Sequence, residues 1–292
     1  MYELDERPDN PMNQDIAPGP QDFERGRRMI RETIDINGIE MNYACFGEGS
    51  QPMVIIPGLS LIPVLTFADF VADAYSIFKD GFTTYLFERR ENMPETYNIQ
   101  DMARDTAEVM KALGLSATCL FGTSQGGMIA QCIAIEYPEL VKKLALGSTV
   151  SCIPDIYAEP ALGKWIRLAE AGRIHELNLS FSKDVYSGEV FERNKRGILA
   201  MEGMITTRDV ERFIIQSHGS DGFDLSEDLS RIQCPALLMG SEKDKVFSAD
   251  RMRKTVGGIG CASYFYKDYS HVVYDEAPDF KERLLAFFRE FQ

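Results

Sequence analysis

No stretch of this sequence approaches the roughly 20 continuous apolar residues that cross a bilayer. The chain opens Met1-Tyr2-Glu3-Leu4-Asp5-Glu6-Arg7, without the basic end and apolar run of an export signal. The expectation is a cytoplasmic protein with no membrane association. Basic residues are in deficit, 31 Lys and Arg against 45 Asp and Glu, for a formal charge of −14. That balance argues against a nucleic-acid surface, which is built from clustered cations. The six cysteines, at 45, 119, 132, 152, 234 and 261, show no close pairing of the kind that holds zinc or marks a redox site. They lie mostly in apolar segments and read as free, buried thiols. There is no phosphate-binding glycine loop, nucleotide fingerprint or metal-ligand pattern, so the expectation is no cofactor and no metal. Histidine is scarce too: only His175, His218 and His271 are available to act as a base.

What is present is a globular composition, 45% hydrophobic over 292 residues. Residues 1–30 are rich in Pro, Asn, Asp and Arg and read as an extended or disordered arm, or one that packs on the body or a second subunit. Strand-like runs Thr33 to Ile36 and Ile39 to Cys45 flank Asn37-Gly38, a hairpin signal. Met53 to Ile56 is an apolar run suited to a strand buried on both faces, ending at Pro57-Gly58. Strands at Thr83 to Phe87, Ala117 to Phe121 and Leu144 to Leu146 then alternate with helices at Ile99 to Leu113 and Gln125 to Tyr137. Such alternation predicts a parallel sheet with helices on both faces. Between 151 and 217 it stops: four helical segments, Tyr157 to Ala171, Ile174 to Ser182, Arg193 to Met204 and Asp209 to Ser217, contain nothing resembling a buried strand. This stretch is read as a helical cap inserted into a core of residues 31–150 and 218–292. In the second core segment, strands at Ala236 to Gly240 and Ser263 to Tyr266 alternate with helices at Ala249 to Val256 and Phe280 to Phe291.

Gly122-Thr123-Ser124-Gln125-Gly126 follows a predicted strand and precedes a predicted helix, the setting in which small flanking residues let a sharp turn present a serine hydroxyl. A serine hydroxyl is a weak nucleophile at neutral pH and needs a neighbouring base. His271, in the loop between the last strand and the last helix, is the first candidate. His218 is second, and His175 reads as a surface or packing residue. A carboxylate must orient the imidazole. Asp244 follows a strand end on the same sheet edge, with Glu242 its nearest competitor and Asp221 and Asp224 weaker ones. Acyl transfer also needs backbone donors for the oxyanion, for which Gln125 N–H and Leu59 N–H are the candidates. In the cap, Trp165, Phe181, Tyr186 and Phe213 are candidate substrate-pocket residues, with Phe191 beside them.

These pieces, together with Ile55-Ile56-Pro57-Gly58, Tyr137-Pro138-Glu139-Leu140-Val141 and the run Cys234 to Asp244, resemble the α/β-hydrolase superfamily over residues 32 to 292. The resemblance implies a mostly parallel eight-stranded sheet, a helical lid after strand 6 and the chain order nucleophile, acid, histidine. Two departures stand out. Pro57-Gly58 replaces the family's frequent His-Gly, and Glu88-Arg89-Arg90-Glu91 replaces an Asp-x-Arg-Gly pattern. The serine sets the chain apart from haloalkane dehalogenases and epoxide hydrolases, which use aspartate there.

The expected activity is hydrolysis of a carboxylic ester or lactone of a small or medium, partly apolar substrate through an acyl-enzyme on Ser124. An acyltransferase or carbon-carbon bond hydrolase with the same triad is the alternative, and a low-turnover ligand receptor a third reading. A small-molecule substrate is the expected partner, with no nucleic acid and a homo-oligomer left open.

Overall fold

A computed structural model describes residues 29–290. The arm expected over residues 1–30 lies outside the described residues except for its last two, and Ile30 already belongs to the first strand. The chain enters through an antiparallel hairpin of β1 (Ile30–Ile36) and β2 (Ile39–Phe46). Asn37 and Gly38 turn it with φ of 52° and 77°, the left-handed pair that a tight hairpin needs.

The remaining main-sheet strands are β3 (Gln51–Ile56), β4 (Phe82–Phe87), β5 (Thr118–Thr123) and β6 (Val141–Gly147). After a two-stranded ribbon of β7 (Cys152–Ile153) and β8 (Phe223–Asp224) come β9 (Ala236–Ser241) and β10 (Ala262–Tyr266). Among the described residues eight strands form one sheet, in the order β1-β2-β4-β3-β5-β6-β9-β10. Only β2 runs against its neighbours; every pairing from β4 to β10 is parallel.

The helices are α1 (Ala68–Ala74), α2 (Ile99–Ala112), α3 (Gln125–Glu136), α4 (Pro160–Glu170), α5 (Ile174–Val185), α6 (Gly188–Met201), α7 (Thr207–His218), α8 (Ala249–Ile259), α9 (Val273–Glu276) and α10 (Phe280–Arg289). Strand side chains alternate between two cores. Val54, Ile56, Leu120 and Leu146 pack with Met102, Val109, Met128, Ile133 and Met252 on one face. Met53, Ile55, Phe121 and Met239 pack with Phe78, Phe280, Leu284 and Phe288 on the other. Burial on both faces explains why these strands read as continuous apolar runs rather than alternating ones.

From β3 the chain steps outward to β4, then returns to place β5 on the other side of β3. The loops after β3 and β5 therefore diverge, leaving a crevice at the carboxyl edge of the sheet where such folds hold ligands. The four helices α4 to α7 leave the sheet after β6 and return before β9. One expectation needs correcting here: residues 151–217 are not wholly helical. Cys152 pairs with Asp224 and Ile153 with Phe223, a ribbon that ties the two ends of the helical insertion together. Two residues per strand are too few for any periodicity to show. No described helix is long and apolar enough to cross a membrane.

Candidate active site

Ser124 sits between β5 and α3 with φ 51° and ψ −121°, a conformation that costs energy for a residue with a side chain and must be held by its surroundings. They do hold it. Its N–H donates to Gly147 O at 2.8 Å, and its carbonyl accepts from Gly127 N–H (2.9 Å), Met128 N–H (3.3 Å) and Thr149 Oγ1 (2.7 Å). The glycines around it are required by close approach. A Cβ on Gly126 would lie 2.1 Å from Ile56 O and 2.4 Å from Pro57 O, and one on Gly122 would lie 2.4 Å from Gly126 O. Only hydrogen at these positions lets the start of α3 press against the end of β3.

His271 follows β10, and Asp244 follows β9. The loops interlock: Ser241 Oγ, at the buried end of β9, donates to Tyr269 O, and Glu242 N–H donates to Tyr266 O at 2.8 Å. His271 is 4% exposed, its ring edge-on to Phe247 at 5.5 Å. His271 Nε2 lies 2.9 Å from Ser124 Oγ, and Nδ1 lies 2.8 Å from Asp244 Oδ2. The other oxygen, Asp244 Oδ1, accepts Val246 N–H and Phe247 N–H at 2.7 and 2.9 Å. A carboxylate with no side-chain exposure is thus balanced by three donors, as a buried charge requires.

The competing residues are engaged elsewhere. His175 contacts Glu202 and His218 contacts Glu170, both in exposed positions. Glu242 pairs with Arg253, Asp221 accepts Ile156 N–H, and Asp224 accepts Ser226 N–H.

Gly58 N–H donates to Thr123 Oγ1 at 3.1 Å, which places the Pro57–Leu59 turn directly over the serine. Among the described residues neither Leu59 N–H nor Gln125 N–H has a protein acceptor. The turn is braced from below by Arg89, 2% exposed, whose Nη2 donates to Pro57 O at 2.7 Å. Burial pulls the Arg89 guanidinium below its usual range despite Glu88 beside it. Burial likewise pushes the Glu88 carboxyl up, against the pull of Arg89 and Arg212. The sequence marked Glu88 to Glu91 only as a departure from a family pattern, and nothing there separates Arg89 from Arg90 beside it.

A cavity of about 330 Å³ opens beside Ser124 and His271. Trp165, Phe181 and Tyr186 line it. Burial, with Asp275 and Glu276 nearby, pushes the Tyr186 phenol up to about 12, so it is neutral there. Phe213 is a correction. It is fully buried, does not line the cavity, and packs edge-on behind Phe181 at 6.1 Å. Phe191 is also buried away from it. The lining from Phe67, Phe70, Val71 and Ala74, on and before α1, was missed. Its spacing of three, four and seven residues is the signal that finds an apolar helix face.

The cysteines are free among the described residues. Cys119 and Cys132 are buried and the other four half-buried, so the expectation of buried thiols holds fully for two.

With this geometry established, comparison with known proteins places the chain. A family described as having the alpha/beta hydrolase fold matches residues 51–166. The serine hydrolase BPHL of Homo sapiens is 26% identical over 250 residues, 80% of this chain and 78% of that protein. The enol-lactonase from Burkholderia xenovorans LB400 superimposes with a TM-score of 0.77 at 18% identity, covering 89% of this chain and 100% of that one. An esterase from Exiguobacterium antarcticum gives 0.74 at 20% identity, covering 87% and 97%. The matched segment contains β3, the Pro57–Leu59 turn and the elbow at Ser124, and the structural likeness covers 87 to 89% of the chain. The chain has the α/β-hydrolase fold, and over residues 51–166 it matches the family described by that fold.

Proposed function

We propose that the chain is a serine hydrolase that cleaves an uncharged carboxylic ester or lactone of small to medium size through an acyl-enzyme on Ser124. The observation that carries this reading is the relay from Ser124 Oγ through His271 to Asp244, opening into a largely apolar cavity. His271 Nδ1–H donates to Asp244, leaving Nε2 to accept the Ser124 hydroxyl proton. The alkoxide attacks the carbonyl carbon. The resulting oxyanion takes Gln125 N–H and Leu59 N–H, and His271 returns the proton to the departing alcohol oxygen. Water then repeats the sequence on the acyl-enzyme. A lactone follows the same steps with its alcohol still tethered.

No lysine or arginine lines the cavity among the described residues, and Asp275 stands on its wall. A carboxylate or phosphate on the substrate would enter without a partner for its charge, at a cost that a neutral substrate avoids. The volume lies at the lower end of the roughly 300–1,000 Å³ range of small-molecule sites, which favours compact substrates.

Intact mass after treatment with an uncharged fluorophosphonate tests the reading, with wild type, Ser124→Ala and His271→Ala compared. The expected result is one adduct on wild type, none on the serine variant and a much slowed one on the histidine variant. An adduct that persists in Ser124→Ala would refute the assignment. Hydrolysis of a butyrate ester should exceed that of its ω-carboxylate analogue, and equal rates would remove the argument for an uncharged substrate.

A further inference from the structure

The last carbonyls of an α-helix have no partner within it and must find one outside. α5 ends without a capping glycine, and Tyr186 follows in an extended conformation. Its terminal carbonyls are satisfied by two loops of the sheet edge. Lys245 Nζ donates to Lys183 O at 2.8 Å and to Tyr186 O at 3.0 Å. Ser270 Oγ donates to Asp184 O at 3.1 Å, and Val272 N–H donates to Val185 O at 3.1 Å. Just beyond, Ser187 N–H donates to Glu276 Oε1 at 2.8 Å. An ammonium at this end of the helix also has the sign that the helix dipole favours.

The donors are not scattered. Lys245 is the residue after Asp244, and Ser270 and Val272 are the residues on either side of His271. One helix end therefore touches both loops that carry the base and its carboxylate. The hydrogen bond from His271 to Asp244 and the packing of Phe247 act on the ring, and neither fixes the loop that carries it. The Ser270 hydroxyl and the Val272 N–H tie that loop on both sides of His271.

We propose that the C-terminal end of α5 is the template that sets the Asp244 and His271 loops, with Lys245 and Ser270 as positioning residues. The inference rests on the reading of Ser124, His271 and Asp244 as the reacting groups. It also assigns a mechanical property to the helical insertion: α5 does not lift from the sheet edge without loosening the base, so access to the cavity comes from elsewhere around the insertion.

The test compares wild type with Lys245→Met, Ser270→Ala, the double variant and Lys245→Arg. The rate of fluorophosphonate labelling and kcat and KM on a neutral butyrate ester are measured, with circular dichroism and thermal unfolding as fold checks. Because an ångström of misplacement costs up to about 100-fold, the folded double variant is expected to lose roughly tenfold or more in labelling rate and kcat. KM should stay within about twofold, and Lys245→Arg should recover most of the rate. Labelling at the wild-type rate by a folded double variant overturns the positioning role. So does a loss matched by an equal rise in KM, or one that Lys245→Arg fails to restore. Should the double variant not fold, Lys245→Met alone carries the test, because its side chain is exposed. A wild type that does not react at all removes the triad reading itself, and this inference with it.

Discussion

Gly126→Ala is the sharpest test of how the elbow and the Pro57–Leu59 turn are built. The added methyl would lie 2.1 Å from Ile56 O, and ordinary contact begins at 3.4 Å, so the two backbones must part by about 1.3 Å. Neither side gives easily. Ile56 is fully buried and paired with Gly122 across the sheet, and Pro57 O is held by Arg89. On the other side, the start of α3 is tied by the two N–H groups that donate to Ser124 O. If the turn takes half of the displacement, Leu59 N–H moves by more than the roughly 0.5 Å tolerance of a productive site. We expect Gly126→Ala to fold with about 1–3 kcal/mol less stability, the usual cost of overpacking. Its acylation by a fluorophosphonate should slow by roughly 100-fold. Gly257→Ala is the control, because a Cβ there in α8 meets nothing within 4 Å; it should gain about 0.5–1 kcal/mol and keep full rate. Time-resolved intact mass and thermal unfolding supply both numbers. A Gly126→Ala protein with wild-type melting and labelling within threefold of wild type would show that the end of β3 is soft, and that the turn does not owe its position to this contact.

Asp244→Asn keeps an acceptor for Val246 N–H and Phe247 N–H but turns an amide donor toward His271, favouring the tautomer that cannot take the serine proton. Ester turnover should fall by about 10⁴ with the melting temperature little changed, and a fall below tenfold would argue against the carboxylate's role. Phe213→Ala should cost about 3–5 kcal/mol of stability, because the ring is fully buried. Phe181→Ala should act chiefly on KM for apolar esters; the reverse pattern in unfolding and kinetics would invert the assignment of wall and core. Burial pushes the Cys132 thiol up to about 12 and Cys119 up to about 11. A thiolate forms only as pH rises through these values, so at pH 8 about one Cys119 thiol in a thousand is ionised and fewer at Cys132. Iodoacetamide mapping should leave both unmodified in the native protein and label them in denaturant, and prompt native labelling would refute the packing described for β5 and α3.

Much of the framework was readable because it is encoded locally. The hairpin at Asn37-Gly38 needs left-handed residues, and Asn and Gly are there. The apolar run Met53 to Ile56 reports a strand covered on both faces, and the glycines flanking Ser124 report a crowded strand-to-helix turn. Each signal lies within a few residues of the feature it creates. The order of serine, aspartate and histidine was readable for a related reason: each follows a strand, and parallel strands end at one edge.

What escaped the sequence is set between distant segments. Phe181 and Phe213 are both aromatic residues in helices of one insertion, and nothing near either tells which ring meets the cavity and which fills the space behind; the way the helices of the insertion bring the two rings together decides it. Arg89 reads as one charge in Glu88-Arg89-Arg90-Glu91, and its buried role exists only because β4 lies beside β3. Lys245 and Ser270 are small polar features of loops, 62 and 86 residues from the carbonyls they satisfy. Chemistry-bearing residues are constrained in type, since only certain side chains attack, accept or orient, and so stand out by identity. A brace is constrained only in reach: any donor of suitable length in the right place closes a helix end. Supporting residues are therefore invisible by type until the fold brings the helix end to them, and they are where substitutions far from the serine should most affect its rate.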